Sequence, residues 1–313
     1  MTAPSRTPGR NRIVCVGNAG VDRTFALAGA AQMATSNPAQ LSTGFGGVAR
    51  NVAENLARLK VAVALVTQVG DDTGGRALRA GCATLGIDVH GVLVSPLHPT
   101  SEYVAVVDAQ GELVIGAAAT AAIDALPLAM LGAAFDDDGR TAWTFADCTL
   151  PPAVIGALLE DRRAGGPPLA VDAVSTARVA RLPGDLHGLD VLFLNADEAQ
   201  ALLGAATFDA RTAGQQLRER GAGAVVLTRG AHPILVTDAD GTVEIAVPPA
   251  TPVDVTGAGD ALVAGTLFGL LNGAPLREAV RMGSLAAKLT LESPAACAPG
   301  LTRAALTALG AAV

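Results

Sequence analysis

Short apolar runs, each stopped by a polar or glycine-rich tip, recur along most of the chain. Ile13-Val14-Cys15-Val16 ends at Gly17-Asn18-Ala19-Gly20, Ala62 to Val69 ends at Gly70-Asp71-Asp72, Val191 to Leu194 ends at Asn195, and Ala224 to Leu227 ends at Thr228-Arg229-Gly230. Unbroken runs of this length predict strands buried on both faces, with loops at their C-terminal tips. Trp143 to Ala146 and Leu169 to Asp172 read the same way. Between the strands the period becomes helical: Val48, Val52, Leu56 and Leu59 fall on one face of a helix opened by Gly44-Phe45-Gly46-Gly47, and Gly75 to Leu85 and Leu276 to Leu289 follow suit. Strand and helix alternate over nearly the whole length, which predicts one doubly wound α/β domain around a mostly parallel sheet.

Two stretches do not fit such a core. Thr100 to Val107 and Glu112 to Gly116 alternate polar and apolar residues around Asp108-Ala109-Gln110-Gly111, a hairpin pattern. The segment 24–43 is irregular and polar, marked only by the turn Ser36-Asn37-Pro38. Together they predict a small separate sheet. A second hairpin spans Ile234 to Val247, residues 1–11 are expected to be a disordered tail, and the acids of Phe135 to Gly139 a solvated turn rather than a metal site.

Composition narrows the class. Of 313 residues, 50% are hydrophobic but only 3% aromatic, so small and branched aliphatics must fill the core. A net charge of -7 without a basic run argues against nucleic-acid polymers and anionic membrane surfaces as partners, and no apolar stretch has the length of a membrane span. Cys15, Cys82, Cys148 and Cys297 lack metal-ligand spacing, and the four histidines are scattered, which points to buried free thiols in a cytoplasmic protein.

The candidate chemistry centres on Val253-Asp254-Val255-Thr256-Gly257-Ala258-Gly259-Asp260, which leads into an apolar helical run. Glycines at a helix start free the first amides for an anion. Asp260 is out of place in a pure anion cradle, and either accepts a proton from an attacking hydroxyl or simply caps the helix. Elsewhere Asp22 follows the first strand tip, and Gly46, Gly47 and Asn51 open a helix where a hydroxylated ligand or an ordinary turn would both fit. Asn195 and Glu198 are spaced as a capping box, the favoured reading from these residues alone, with water or magnesium near phosphates as the alternative.

Gly46-Gly47 with Asn51, Asn195-x-x-Glu198 and Asp254-x-Thr256-Gly257-Ala258-Gly259-Asp260 resemble, in order and spacing, the signatures of ribokinase-like (PfkB-type) carbohydrate and nucleoside kinases, from about Ile13 to the Cys297 loop. That resemblance implies a central mostly parallel sheet flanked by helices within 12–313, and a β-sheet lid built from about 22–45 and 99–118. It implies ATP as phosphoryl donor, magnesium as cofactor, and a homodimer formed through the lid. Carried over, Asp260 is the base and Gly257, Ala258 and Gly259 the anion hole, while Asp22, Gly47 and Asn51 bind the sugar. Asn195 and Glu198 act through magnesium, water and phosphate, Thr228 and Gly230 lie along the nucleotide, and Asp254 matches a position that binds potassium in some members.

Ser36-Asn37-Pro38, Gly46 to Asn51 with Arg50, Thr100-Ser101-x-Tyr103, Ala146-Asp147-Cys148 and Val171 to Ser175 look like the pseudouridine-kinase branch of that family. This adds Gly46, Arg50 and Thr100 to the expected acceptor site, and a nucleoside 5′-hydroxyl as the acceptor. Other sugars or nucleosides such as ribose, adenosine, inosine or guanosine, and a non-catalytic nucleoside binder, stand as alternatives. Two positions depart from the pattern: Gly20 replaces a common sugar-binding Asn, and Pro233 replaces a glycine after the Thr-x-Gly element.

Overall fold

The computed structural model describes residues 11–131, 139–204 and 208–310, so the expected tail through residue 10 and the acids of the Phe135–Gly139 turn lie outside the described residues. The apolar runs become β1 (Arg12–Val16), β4 (Ala62–Gly70), β8 (Thr141–Asp147), β9 (Leu169–Asp172), β10 (Val191–Asn195) and β11 (Ala224–Arg229), all mutually parallel. The short β5 (Val92–Ser95), which no pattern in the sequence marked, adds in parallel to β4. At the other edge β12 (His232–Asp238) and β13 (Gly241–Ile245) add antiparallel, giving the order β13-β12-β11-β10-β9-β8-β1-β4-β5. Pro233 falls where the β11–β12 register shifts between Leu227 and Arg229, so its missing N–H leaves no ladder bond unmade.

Alternate residues of the buried strands serve opposite faces. Ile13 and Cys15 join one apolar cluster with α1 (Val48–Arg58), α2 (Thr73–Thr84), α7 (Ala258–Leu271), α8 (Leu276–Leu291) and α9 (Arg303–Gly310). Val14 and Val16 join the other with α3 (Ala121–Asp124), α4 (Pro152–Arg163), α5 (Ala196–Leu203) and α6 (Ala210–Glu219). That period of two explains why these strands read as unbroken apolar runs. Helix α7 is buried on all sides from Asp260 to Gly269, so tertiary packing rather than an amphipathic stripe holds it. All four cysteines are free and buried, and among the described residues no helix is long and apolar enough to cross a membrane.

The sheet grows outward from β1 in both directions, to β4 on one side and β8 on the other. At such a switch point the connections diverge and leave a crevice beyond the strand tips. From that crevice rises the second sheet, ordered β3-β2-β6-β7, with β2 (Gly20–Leu27), β3 (Ala39–Gly46), β6 (Ser101–Val107) and β7 (Leu113–Ala119). The irregular 24–43 stretch thus supplies two of its strands. Gly20 and Asp22 share one face of this sheet with their register partners Gly46, Gly44, Ser101 and Tyr103. The opposite face carries the in-register row Leu41, Phe25, Val106 and Ile115.

Candidate active site

The crevice is organised by a carboxylate that sequence reasoning quoted but gave no role. Asp147, the last residue of β8, is fully buried. Its Oδ2 accepts from the amides of Asn18 (2.9 Å) and Ala49 (3.0 Å), and its Oδ1 from the amide of Thr149 (2.9 Å) and the Thr149 hydroxyl. One side chain thereby ties the tip of β1 to the start of α1 and the exit of β8. Burial raises its pKa, with these hydrogen bonds pulling the other way. Asn18 and Ala49 lie 129 and 98 positions away in sequence, a relation that no local motif displays.

Above this anchor the structure brings together Asp22, Gly46, Gly47, Arg50, Asn51 and Asp260. Asp22 is half-buried, and its carboxylate fills the space beside Gly46: a Cβ there would lie 2.0 Å from Asp22 Oδ2. Asn51 Nδ2 donates to Asp260 Oδ2 at 2.6 Å, and Arg50 donates to Asn51 Oδ1 and to Glu54. Burial pushes the Asp260 carboxyl up to about 6, the Asn51 bond and the Arg50 charge pull it down, and Asp147 and Asp22 push it up. Burial likewise raises Asp22, opposed by Arg50.

Asp260 lies in the first turn of α7. Gly257, the residue before that helix, has φ 78 and no side-chain cap closes this end. A Cβ at 257 would sit 2.0 Å from the Ala296 carbonyl oxygen, so both conformation and space demand glycine. Ala258 and Gly259 follow, Gly259 exposed with open space where a side chain would project. The first amides of a helix have no intrahelical acceptor, and here no side chain takes them. Asp254, half-buried upstream, closes a turn by accepting from the Thr256 amide at 2.8 Å.

Across the crevice Asn195 and Thr228 are register partners at the tips of β10 and β11, and Gly230 lies exposed one residue past β11 with φ 60. Asn195 Oδ1 accepts from the Glu198 amide and Glu198 Oε2 from the Asn195 amide, closing the capping box that the spacing predicted. Burial raises the Glu198 pKa, the Asn195 amide lowers it, and Asp197 raises it. Asp172, at the tip of β9, is driven well above the ordinary carboxylate range by burial and then by Asp260 and Glu198. It links the two halves of the crevice electrostatically. Its Oδ1 accepts from Val174, a β-branched residue held at φ 67, a strained conformation of the kind that gathers at functional sites.

Thr100 does not join the acceptor cluster. Its hydroxyl donates to Asp72 Oδ1 and accepts from the Gly70 amide, which fastens β6 to the start of α2. The next residue, Ser101, is buried with no hydrogen-bond partner for Oγ among the described residues. It packs against Gly20, where a Cβ would lie 2.5 Å from the Ser101 carbonyl oxygen and 3.1 Å from its Cβ. The Asn common at position 20 therefore has no room. Asn18 Oδ1, at the β1 tip, is also buried without a partner. Tyr103, the single tyrosine of the chain, is the register partner of Asp22 and spreads over Gly116, where a Cβ would meet its Oη at 2.6 Å.

Solved structures share this architecture. A carbohydrate kinase from Agrobacterium tumefaciens matches with a TM-score of 0.83 over 95% of this chain and 96% of its own, at 30% identity. Arabidopsis thaliana ribokinase, solved with ribose and ATP, matches with a TM-score of 0.81 over 96% and 98%, at 19% identity. The ribokinase-like fold, carrying a buried acid at the mouth of a glycine-opened helix, defines an enzyme class: phosphotransferases with an alcohol acceptor. The model of the pfkB family of carbohydrate kinases matches residues 10–303, and the chain belongs to that family. Pseudouridine kinase of Escherichia coli K12 is 28% identical to it over 286 residues, covering 90% of this chain and 91% of that enzyme.

Proposed function

We propose that this chain is an ATP-dependent kinase of a nucleoside 5′-hydroxyl, with pseudouridine the foremost acceptor. The observation that carries the chemistry is Asp260, whose carboxyl titrates near 6 one hydrogen bond from Asn51 and beside Asp22. A base works best with a pKa near the operating pH, and burial supplies that. Asp22, Asn51 and the backbone of Gly46 and Gly47 hold the sugar. Its 5′-oxygen attacks the γ-phosphorus, the bond from phosphorus to the ADP oxygen breaks, and the hydroxyl proton passes to Asp260. The amides of Gly257, Ala258 and Gly259 stabilise the charge on the transferring group.

Asn195, Glu198, Thr228 and Gly230 flank the nucleotide in this reading. Among the described residues no three His, Cys, Asp or Glu side chains are grouped to hold a metal. That suits magnesium, which binds mainly to phosphates and waters and neutralises the charge of the transferring group. The Glu198 oxygen outside the capping box would reach it through water. Asp254 is the residue we assign to potassium, with replacement of potassium by sodium in the assay as its test.

A nucleoside is favoured over a bare sugar by Tyr103, which places an aromatic surface on the face of the small sheet that carries Asp22. A planar base stacks on such a surface, and a sugar without a base would leave it idle. The opposite face suits a second copy of this chain: Leu41 and Ile115 are 53% and 59% exposed at the two ends of one apolar row. The proposal therefore includes a homodimer through that face, which light scattering of Ile115→Lys against the parent protein tests. The function itself is tested by ADP release with pseudouridine, uridine, cytidine, adenosine, inosine, ribose and fructose as acceptors. Pseudouridine is expected to give the highest kcat/KM; ribose or fructose turning over better than every nucleoside overturns the nucleoside reading and leaves the family intact.

A further inference from the structure

Arg50 was expected to touch the acceptor, and the structure gives its guanidinium other work. The residue is 5% exposed. Nε and Nη2 both donate to Asn51 Oδ1, at 3.1 and 2.6 Å, and Nη1 donates to Glu54 Oε2 at 2.8 Å. Glu54 is held in turn by Arg58, whose Nε and Nη2 reach Oε1 at 3.0 and 2.6 Å. Arg50 Nη2 also lies 3.7 Å from the buried thiol of Cys297.

A side-chain amide has an accepting end and a donating end, and nothing in its shape selects which faces a given neighbour. Here the neighbours differ in charge. With two guanidinium donors on Oδ1, the Asn51 nitrogen must face Asp260, and it donates to Oδ2 at 2.6 Å. A flipped amide would set donors against the guanidinium and its oxygen against the carboxylate, repulsive at both ends. Arg50 thus turns the donating end of Asn51 toward Asp260, where it occupies Oδ2.

We propose that Arg50 is a positioning residue for phosphoryl transfer. It fixes the sense of the Asn51 amide, so that Asp260 Oδ2 is held and the other carboxylate oxygen is kept for the acceptor proton, and it does not bind the acceptor. This rests on Asp260 being the base. The groups around Asp260 are Arg50 and Asn51 from α1, Asp22 from β2, Asp147 from β8, Asp172 from β9, and Cys297. Among these, Arg50 alone is a cation, so its removal also lifts the pH at which Asp260 ionises.

The test is kcat and KM for acceptor, measured from pH 5 to 9, in full-length Arg50→Met, Arg50→Lys and Glu54→Gln. Arg50→Met is expected to lose about 10²-fold in kcat, as a misplaced catalytic group does. KM for the acceptor, which Asn51 also holds, should rise by much less than kcat falls, and the acidic limb of the profile should move to higher pH. Arg50→Lys keeps the charge and so the position of that limb, but one ammonium cannot hold Asn51 and Glu54 in the same fork, and kcat still falls. Glu54→Gln loosens the guanidinium without removing it; it should lower kcat less, and it carries the test if Arg50→Met does not fold. A raised KM with unchanged kcat and pH profile would make Arg50 an acceptor contact and overturn the proposal, as would variants indistinguishable from the parent. Full activity in Asp260→Asn would instead overturn the assignment of the base.

Discussion

Two helices of this molecule begin at strand or loop tips around the same crevice, each with an acid in its first turn, and they begin in opposite ways. The start of α5 closes on itself: Asn195 and Glu198 exchange hydrogen bonds with each other's amides. The start of α7 stays open, preceded by a glycine with positive φ and no capping side chain. A cap is worth about 1 kcal/mol to a helix. Helix α5 is short, with two residues, Glu198 and Ala199, buried, whereas α7 buries ten consecutive residues from Asp260 to Gly269. The helix that tertiary packing already holds can leave its first amides and its acid to a ligand. The helix with less burial keeps its cap.

The sharpest way to break this contrast is Asp260→Asn. In the kinase reading it lowers kcat by about 10²–10⁴-fold while acceptor binding, measured by calorimetry, persists. Stability should move the other way. Asp260 keeps its proton to about 6 in the folded chain, against 3.8 as its reference value. At pH below the reference value both states are protonated and the carboxyl costs nothing. As pH rises toward 6 the unfolded chain loses its proton first, so the fold is progressively penalised, and above 6 the penalty is complete. The variant lacks that penalty, so its Tm should exceed the parent's at pH 8 and approach it near pH 4. In the parent, kcat/KM should fall as pH drops through about 6.

Gly257→Ala comes next, because it imposes both positive φ and the Ala296 clash. It should destabilise the protein by about 2–4 kcal/mol in chemical denaturation. Gly259→Ala, which adds a methyl group to open space, should keep the fold. Equal losses in the two would mean that the turn has no special geometry. Asn195→Ala should cost about 1 kcal/mol of stability through the lost cap. Smallest in stability is Glu198→Gln, since glutamine also closes a capping box. Its Tm should barely move while the magnesium concentration needed for half-maximal rate rises. An unchanged magnesium requirement would reduce Glu198 to a cap alone.

The main sheet was legible because strands buried on both faces leave unbroken apolar runs, and the second-sheet hairpin was legible from its alternation. The other half of that sheet showed only as a segment that did not fit the core, with no strand pattern of its own. Strand β3 is exposed over Ala39 to Thr43, and β2 mixes Arg23 and Thr24 with Phe25, so neither period shows. In the site, residues within one motif, such as Asn195 with Glu198, could be paired from their spacing. Asp147 could not, since Asn18 and Ala49 reach it from distant segments, and neither could Asp172, whose charged neighbours Asp260 and Glu198 do the same. Thr100 shows the converse: its motif was visible, but its hydroxyl belongs to Asp72.

The chain has one tyrosine and one tryptophan. Tyr103 stands on the small sheet, 39% exposed, and Trp143 is buried in the main one at 5%. Nature has therefore left a single optical donor on one body and a single acceptor on the other. Indole emission excited where both rings absorb, compared with emission excited where the indole alone absorbs, gives, in the unmodified protein, a signal that depends on the separation of the two sheets. An acceptor molecule that draws them together, or that stacks on the phenol and quenches it, reports its own arrival without any label.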